Sequence, residues 1–183
     1  MIRSLPPFVL LCAIVLGGCA PWATYPKIEG ATQVSHPELP PIPQLMALAL
    51  LEVHAKARLE PTLLFNLPEG SSVHVYEKVK RELRYAQRGG EGEPVPFDVM
   101  STPDQNAYHV VELRLRMTDA EVDVVHRDLG GTPQMTTVVL KQELISGWSV
   151  IRSRTWRIPS ILPQPTYPKD AVPMPASDAE PPT

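Results

Sequence analysis

The stretch YHVVELRLRM, residues 108–117, is where the chain's apolar period changes from helical to two. Val111, Leu113, Leu115 and Met117 alternate with Glu112, Arg114 and Arg116, the pattern of a strand with one apolar and one solvated face. "TD" turns the chain into AEVDVVHRD, with Val122 and Val124 inward. "LGGTP" then leads into QMTTVVLKQEL, and "ISG" into WSVIRSRTWRI. Four strands joined by three short turns predict an antiparallel meander.

One face of that sheet is apolar and needs a cover. QLMALALLEVHAKARLE predicts a helix from about Gln44 to Leu59, with Met46, Ala49, Leu50, Val53 and Ala57 at helical spacing. Glu52 and Lys56 stand four apart in the favourable order, and His54 is expected in solvent beside them. The short apolar segment TLLFNLPEG could form a strand closed by a proline-glycine turn, and after it SSVHVYEKVKRELRYAQ predicts a second helix with Ser71 or Ser72 as N-cap. Its stripe is Tyr76, Val79, Leu83 and Ala86. The fold class expected is α+β, with two N-terminal amphipathic helices packed on a four-stranded antiparallel meander. In element order alone this is similar to the cone-shaped NTF2-like and cystatin-like architectures.

Proline marks the limits of this domain. The chain has 183 residues and 22 prolines, gathered before the first helix and after the last strand. The domain is therefore expected over residues 44–158. A proline-rich tether precedes it over residues 19–43, and a disordered proline-rich tail follows over 159–183, with Tyr167 able to pack back.

The first residues carry an address. Arg3 is followed by the apolar run from Phe8 to Leu16 and then by two glycines, which predicts a secretory signal over residues 1–18. The run is shorter than the roughly 20 residues a membrane-spanning helix needs. Leu16-Gly17-Gly18-Cys19 resembles the lipobox of bacterial lipoproteins. That resemblance implies cleavage before Cys19 and diacylglycerol on its thiol, so the mature chain would meet the membrane through an N-terminal lipid. Ala20, where retention signals carry aspartate, implies the periplasmic face of the outer membrane in a didermic bacterium. Cys12 would leave with the signal, so no disulfide is expected and the core alone must hold the domain.

Chemical motifs are sparse. A net charge of −3, a pI of about 5.9 and 6% aromatics disfavour nucleic acid as a partner. His109 and Glu112 would share a helix face, but an odd offset on a strand separates them. His126 and Asp128 lack a third ligand nearby, and a solvent-facing hairpin histidine is the expectation there. There is no G-x-S-x-G, no S-x-x-K and no glycine-rich phosphate loop before a helix. No catalytic, cofactor or metal residue is therefore assigned.

The remaining candidates lie on the charged sheet face, as a surface for an envelope protein or polysaccharide. They are Arg114, Arg116, Arg152 and Arg154, with Trp148 and Trp156 placed on the same face by their even offset. The competing reading of that face is a ladder of salt bridges, and of the tryptophans, core. The sequence thus predicts a lipid-anchored, non-enzymatic binding or scaffolding protein of the cell envelope. The alternatives are an NTF2-like ligand pocket or enzyme, and a subunit of an envelope complex.

Overall fold

A computed structural model of the chain describes residues 21–57, 60–88, 94–104, 106–156 and 161–167. It is a mixed α+β domain with two helices, α1 (Ile42–Ala57) and α2 (Val73–Arg88). The strands are β1 (Ala23–Tyr25), β2 (Thr32–Gln33), β3 (Leu63–Asn66), β4 (Phe97–Val99), β5 (Tyr108–Arg116), β6 (Asp119–Arg127), β7 (Pro133–Glu143) and β8 (Gly147–Trp156). Among the described residues no helix is long and apolar enough to cross a membrane. The signal segment and Cys19 lie outside the described residues.

The meander forms as the alternation requires: β5, β6, β7 and β8 pair antiparallel in sequence order. The sheet does not stop at four strands, however. It has eight, in the order β2-β1-β5-β6-β7-β8, with β3 joined to β5 and β4 to β3. The strands added beyond the expected four are two to four residues long, too short to show a period.

Three further expectations are corrected. The segment expected to be a solvated tether contains β1, which pairs Ala23–Tyr25 with Leu113–Leu115, and Tyr25 is buried. Residues 161–167, expected in a disordered tail, lie against the domain, and the ring of Tyr167 packs edge-on against Tyr76 at 4.9 Å. The two helices also do not share the sheet. α1 lies across β5–β8, while α2 packs chiefly on α1. The reason is in α1 itself: Leu45, Met46, Ala47, Ala49, Leu50 and Val53 are all buried, so it needs cover on more than one side. α2 buries one stripe, Val75, Tyr76, Val79 and Leu83, and Ala86, expected in that stripe, is half-buried. The carbonyl of Ser72 accepts from the N–H groups of Val75 and Tyr76, so Ser72 holds the N-cap position.

Between α1 and the sheet the core is filled. Leu45, Met46, Leu50 and Val53 meet Val110, Leu113, Val122, Val124, Val138 and Leu140 in one apolar cluster. The expected Glu52–Lys56 pair is present at 2.7 Å, and Ser153 of β8 donates to the Glu52 carboxylate at 2.9 Å.

Candidate functional site

Two bulges reset the phase of the meander, and both bear on the candidate residues. In β5 the register shifts between Val110 and Glu112, which leaves Val111 as the extra residue. Val110 and Leu113 therefore face the core, and Val111 does not follow the expected inward set. Met117 leaves that set too, in the β5–β6 turn with a φ of 53°. His109 and Glu112, expected on opposite faces, come to the same outer face, opposite Val125 and Asp123 of β6. In β8 the shift between Val139 and Leu140 of its partner leaves Ile151 extra. Trp148 is thereby carried to the core side, where it is buried, while Arg152, Arg154 and Trp156 stay outside. The even-offset argument fails for Trp148 because one residue was inserted between the two tryptophans' ladder positions.

The outer face is largely a charge ladder. Arg114 lies 2.9 Å from Asp123, 3.1 Å from Glu121 and 3.4 Å from Glu112. Three carboxylates occupy its guanidinium, so it has little left for an anionic ligand. Burial pushes the Glu112 carboxyl up, and Arg114 opposes that shift. Arg116 sits over the ring of Trp22 at 4.8 Å. Arg154 stacks on Trp156 at 3.8 Å, and the Trp156 indole N–H donates to Thr137 at 3.0 Å. Arg152 and Arg154 are exposed.

Three of the five histidines, His54, His109 and His126, are sealed, while His36 and His74 are exposed. His54 belongs to the buried stripe of α1, and its ring meets Tyr108 edge-on at 5.3 Å. His126 faces the core because even positions of β6 point inward; it lies 2.8 Å from the Arg127 carbonyl and 3.0 Å from the Thr136 hydroxyl. Its expected companion Asp128 instead shapes the hairpin turn, accepting from the N–H groups of Gly130 and Thr132. Gly131 completes that turn with a φ of 81°. Burial pushes the imidazoles of His54 and His126 down, and that of His109 down to about 4, with Asp104 opposing the last. Among the described residues, no group of three or more His, Cys, Asp or Glu could hold a metal ion.

A cleft lies on the edge of β5 that faces away from β6. Two different strands share that edge. β3 runs parallel against Tyr108 and His109, and β1 runs antiparallel against Leu113–Leu115. Between them residues 110–112, with the bulge, have no strand partner on this edge among the described residues. The gap opens into a cleft of about 670 Å³. Pro26 after β1, residues 67–70 after β3, Val110, Val111 and residues 163–166 line it.

A hydrogen-bonded knot fixes its walls. Asn66 is 1% exposed; its amide donates to the Gln164 carbonyl at 2.9 Å and lies 3.4 Å from His109 Nδ1. Asn66 Oδ1 accepts from the Tyr76 hydroxyl at 2.8 Å and from the Thr166 N–H at 3.0 Å. Tyr76 accepts in turn from the Leu67 N–H, and the Thr166 hydroxyl donates to the Leu67 carbonyl. Across the gap, the Tyr25 hydroxyl meets Ser71 at 2.6 Å, and Ser71 donates to the Pro68 carbonyl. β1, β3, α2 and residues 161–167 are thus joined around one opening.

Sequence reasoning missed this site. Asn66, a carboxamide at the end of the otherwise apolar run Leu63-Leu64-Phe65, was the signal available. A family-model scan, a search of curated proteins and a search of solved structures each returned no match for this chain.

Proposed function

We propose that the protein is a lipid-anchored, extracytoplasmic protein of the cell envelope that binds an extended segment of an envelope protein in the split-edge cleft. The observation that supports this is the chemistry of the cleft. Prolines, valines, a glycine and the unladdered stretch of β5 line it, with Glu69 as the one titratable side chain among the described residues that do. Such a surface suits an extended backbone, which an open strand edge can pair and apolar walls can grip. The filled core between α1 and the sheet weighs against an internal ligand cavity of the NTF2-like kind. The recess beside His126 measures about 90 Å³, well below the roughly 300 Å³ at which small-molecule sites begin.

A second reading, recognition of an anionic polysaccharide on the outer face, is favoured by the exposed Arg152 and by Arg154 on Trp156. A photo-crosslinking residue at Glu69, at Arg154 and at the remote Leu129 separates the two in living cells. Protein adducts from position 69 alone are expected. Adducts from 154 with none from 69 would move the site to the sheet face, and equal yield from 129 would remove both. Anchoring is tested by radioactive palmitate: incorporation that persists in Cys19→Ala ends that part of the proposal.

A further inference from the structure

One end of the sheet gathers three exposed apolar side chains and the first of the described residues. β5 ends at Arg116, and Met117 in the following turn is 75% exposed. The β7–β8 turn carries Leu144 and Ile145, both fully exposed. These two turns are neighbours, because the Gln142 N–H donates to the Thr118 carbonyl at 2.8 Å. β1 begins at this end as well, with Ala23 opposite Leu115 and Trp22 against Arg116.

Cys19 precedes Ala23 by four positions, a reach of at most about 14 Å even if fully extended. A lipid on that thiol would therefore bring this end, and no other, to the headgroups. Here Arg116 and Lys141 offset Asp119 and Glu143 in charge. The apolar tips, rather than attraction to anionic lipid, are left to make the contact. Tryptophan beside them suits the interfacial layer, where amphipathic rings gather.

We infer that Met117, Leu144 and Ile145 form a membrane-inserting tip that seats the domain on the bilayer holding its own lipid. The inference rests on the lipidation of Cys19 proposed above. It also orients the cleft: Val111 lies six residues below Met117 along β5, about 20 Å from the tip at strand rise, so the opening stands clear of the headgroups.

The test uses the full chain purified from membranes, with a single new thiol at the tip (Leu144→Cys) or at the opposite end (Leu129→Cys). Both positions are exposed, so neither change disturbs packing. Each thiol carries an environment-sensitive fluorophore, and the protein is reconstituted into phosphatidylcholine vesicles with brominated acyl chains. The label at 144 is expected to shift to the blue and to be quenched by bromine severalfold more than the label at 129, with no dependence on salt. Equal, weak quenching of the two labels on a protein whose mass includes the lipid overturns the inference and leaves the anchor standing. A blue shift without bromine quenching places the tip in a protein contact, which also overturns it. A mass without lipid removes the anchor, and the inference with it.

Discussion

The two flanks of β5 are built by different rules. On the β6 side the partners follow one another along the chain, turns are short, and backbone ladders run from His109 to Arg116 with a single interruption at Val111. On the other side the partners come from far away: β1, β3 and residues 161–167 meet there. Side chains tie them across 46 residues for Tyr25 and Ser71, and 98 for Asn66 and Gln164. The first flank is held by long local ladders; the second is held by short strands, whose Tyr25, Leu63 and Phe65 share the same core, and by a few buried polar groups. Strands of three or four residues carry few ladder bonds, and regions with fewer bonds open first, so the cleft flank should be the looser of the two. It is also the flank that holds the candidate site.

The comparison can be broken most forcefully from the meander. Leu140 of β7 is fully buried, and Leu140→Ala should cost about 3–4 kcal/mol. Tryptophan fluorescence and far-ultraviolet circular dichroism should report a single, earlier urea transition. Two separated transitions would mean that the flanks are independent units.

Acid should act next most strongly. In the unfolded chain His109 takes up a proton as pH falls through its ordinary value of 6.5, whereas burial holds the folded value at about 4. The unfolded state therefore binds more protons in that window, and stability falls as pH drops from 6.5 toward 4. His54 and His126 are pushed the same way. The contribution of His109 between pH 7 and 4 is roughly 2–3 kcal/mol. His109→Gln should flatten the pH dependence of the urea midpoint; a variant as acid-sensitive as the native chain would show that this imidazole is not sealed.

Asn66→Ala should then sharpen the contrast. Losing its carboxamide leaves the Thr166 N–H without its acceptor and takes one of its partners from the Tyr76 hydroxyl, which keeps Thr166 Oγ1 at 2.7 Å, at a cost of about 2 kcal/mol. Hydrogen exchange should accelerate at residues 63–67 and 163–167, while amides of β6–β8 stay protected. Uniform loss of protection across the sheet would erase the proposed difference.

Arg154→Ala, at the exposed end of the meander, removes only its stacking on Trp156 and should cost about 0.5 kcal/mol. A larger change in the thermal midpoint would assign that arginine to structure and weaken the polysaccharide reading.

Legibility in the sequence followed the same division. The meander, both helices and the Glu52–Lys56 pair could be read because period and spacing are local properties. The bulges could not: Val111 and Ile151 look like any other apolar residue, yet each changes which neighbours face the core. His54 and His126 were misplaced because a polar residue on a buried stripe looks the same as one beside it. Asn66 is a lone carboxamide closing an apolar run, and its partners Gln164 and Thr166 lie about a hundred residues downstream, beyond any pattern a window can hold. The cleft is assembled from such pieces and so left no signature.

Ile151 has a last consequence. β8 closes the row of strands, and its outward backbone would be a ready seam for a neighbouring molecule. The inserted residue twists that seam, and Arg152 and Arg154 crowd it with like charge. Copies packed side by side in two dimensions would collide far more often than in solution, and a straight margin would let them stitch into ribbons. A kinked, cationic margin works against such stitching.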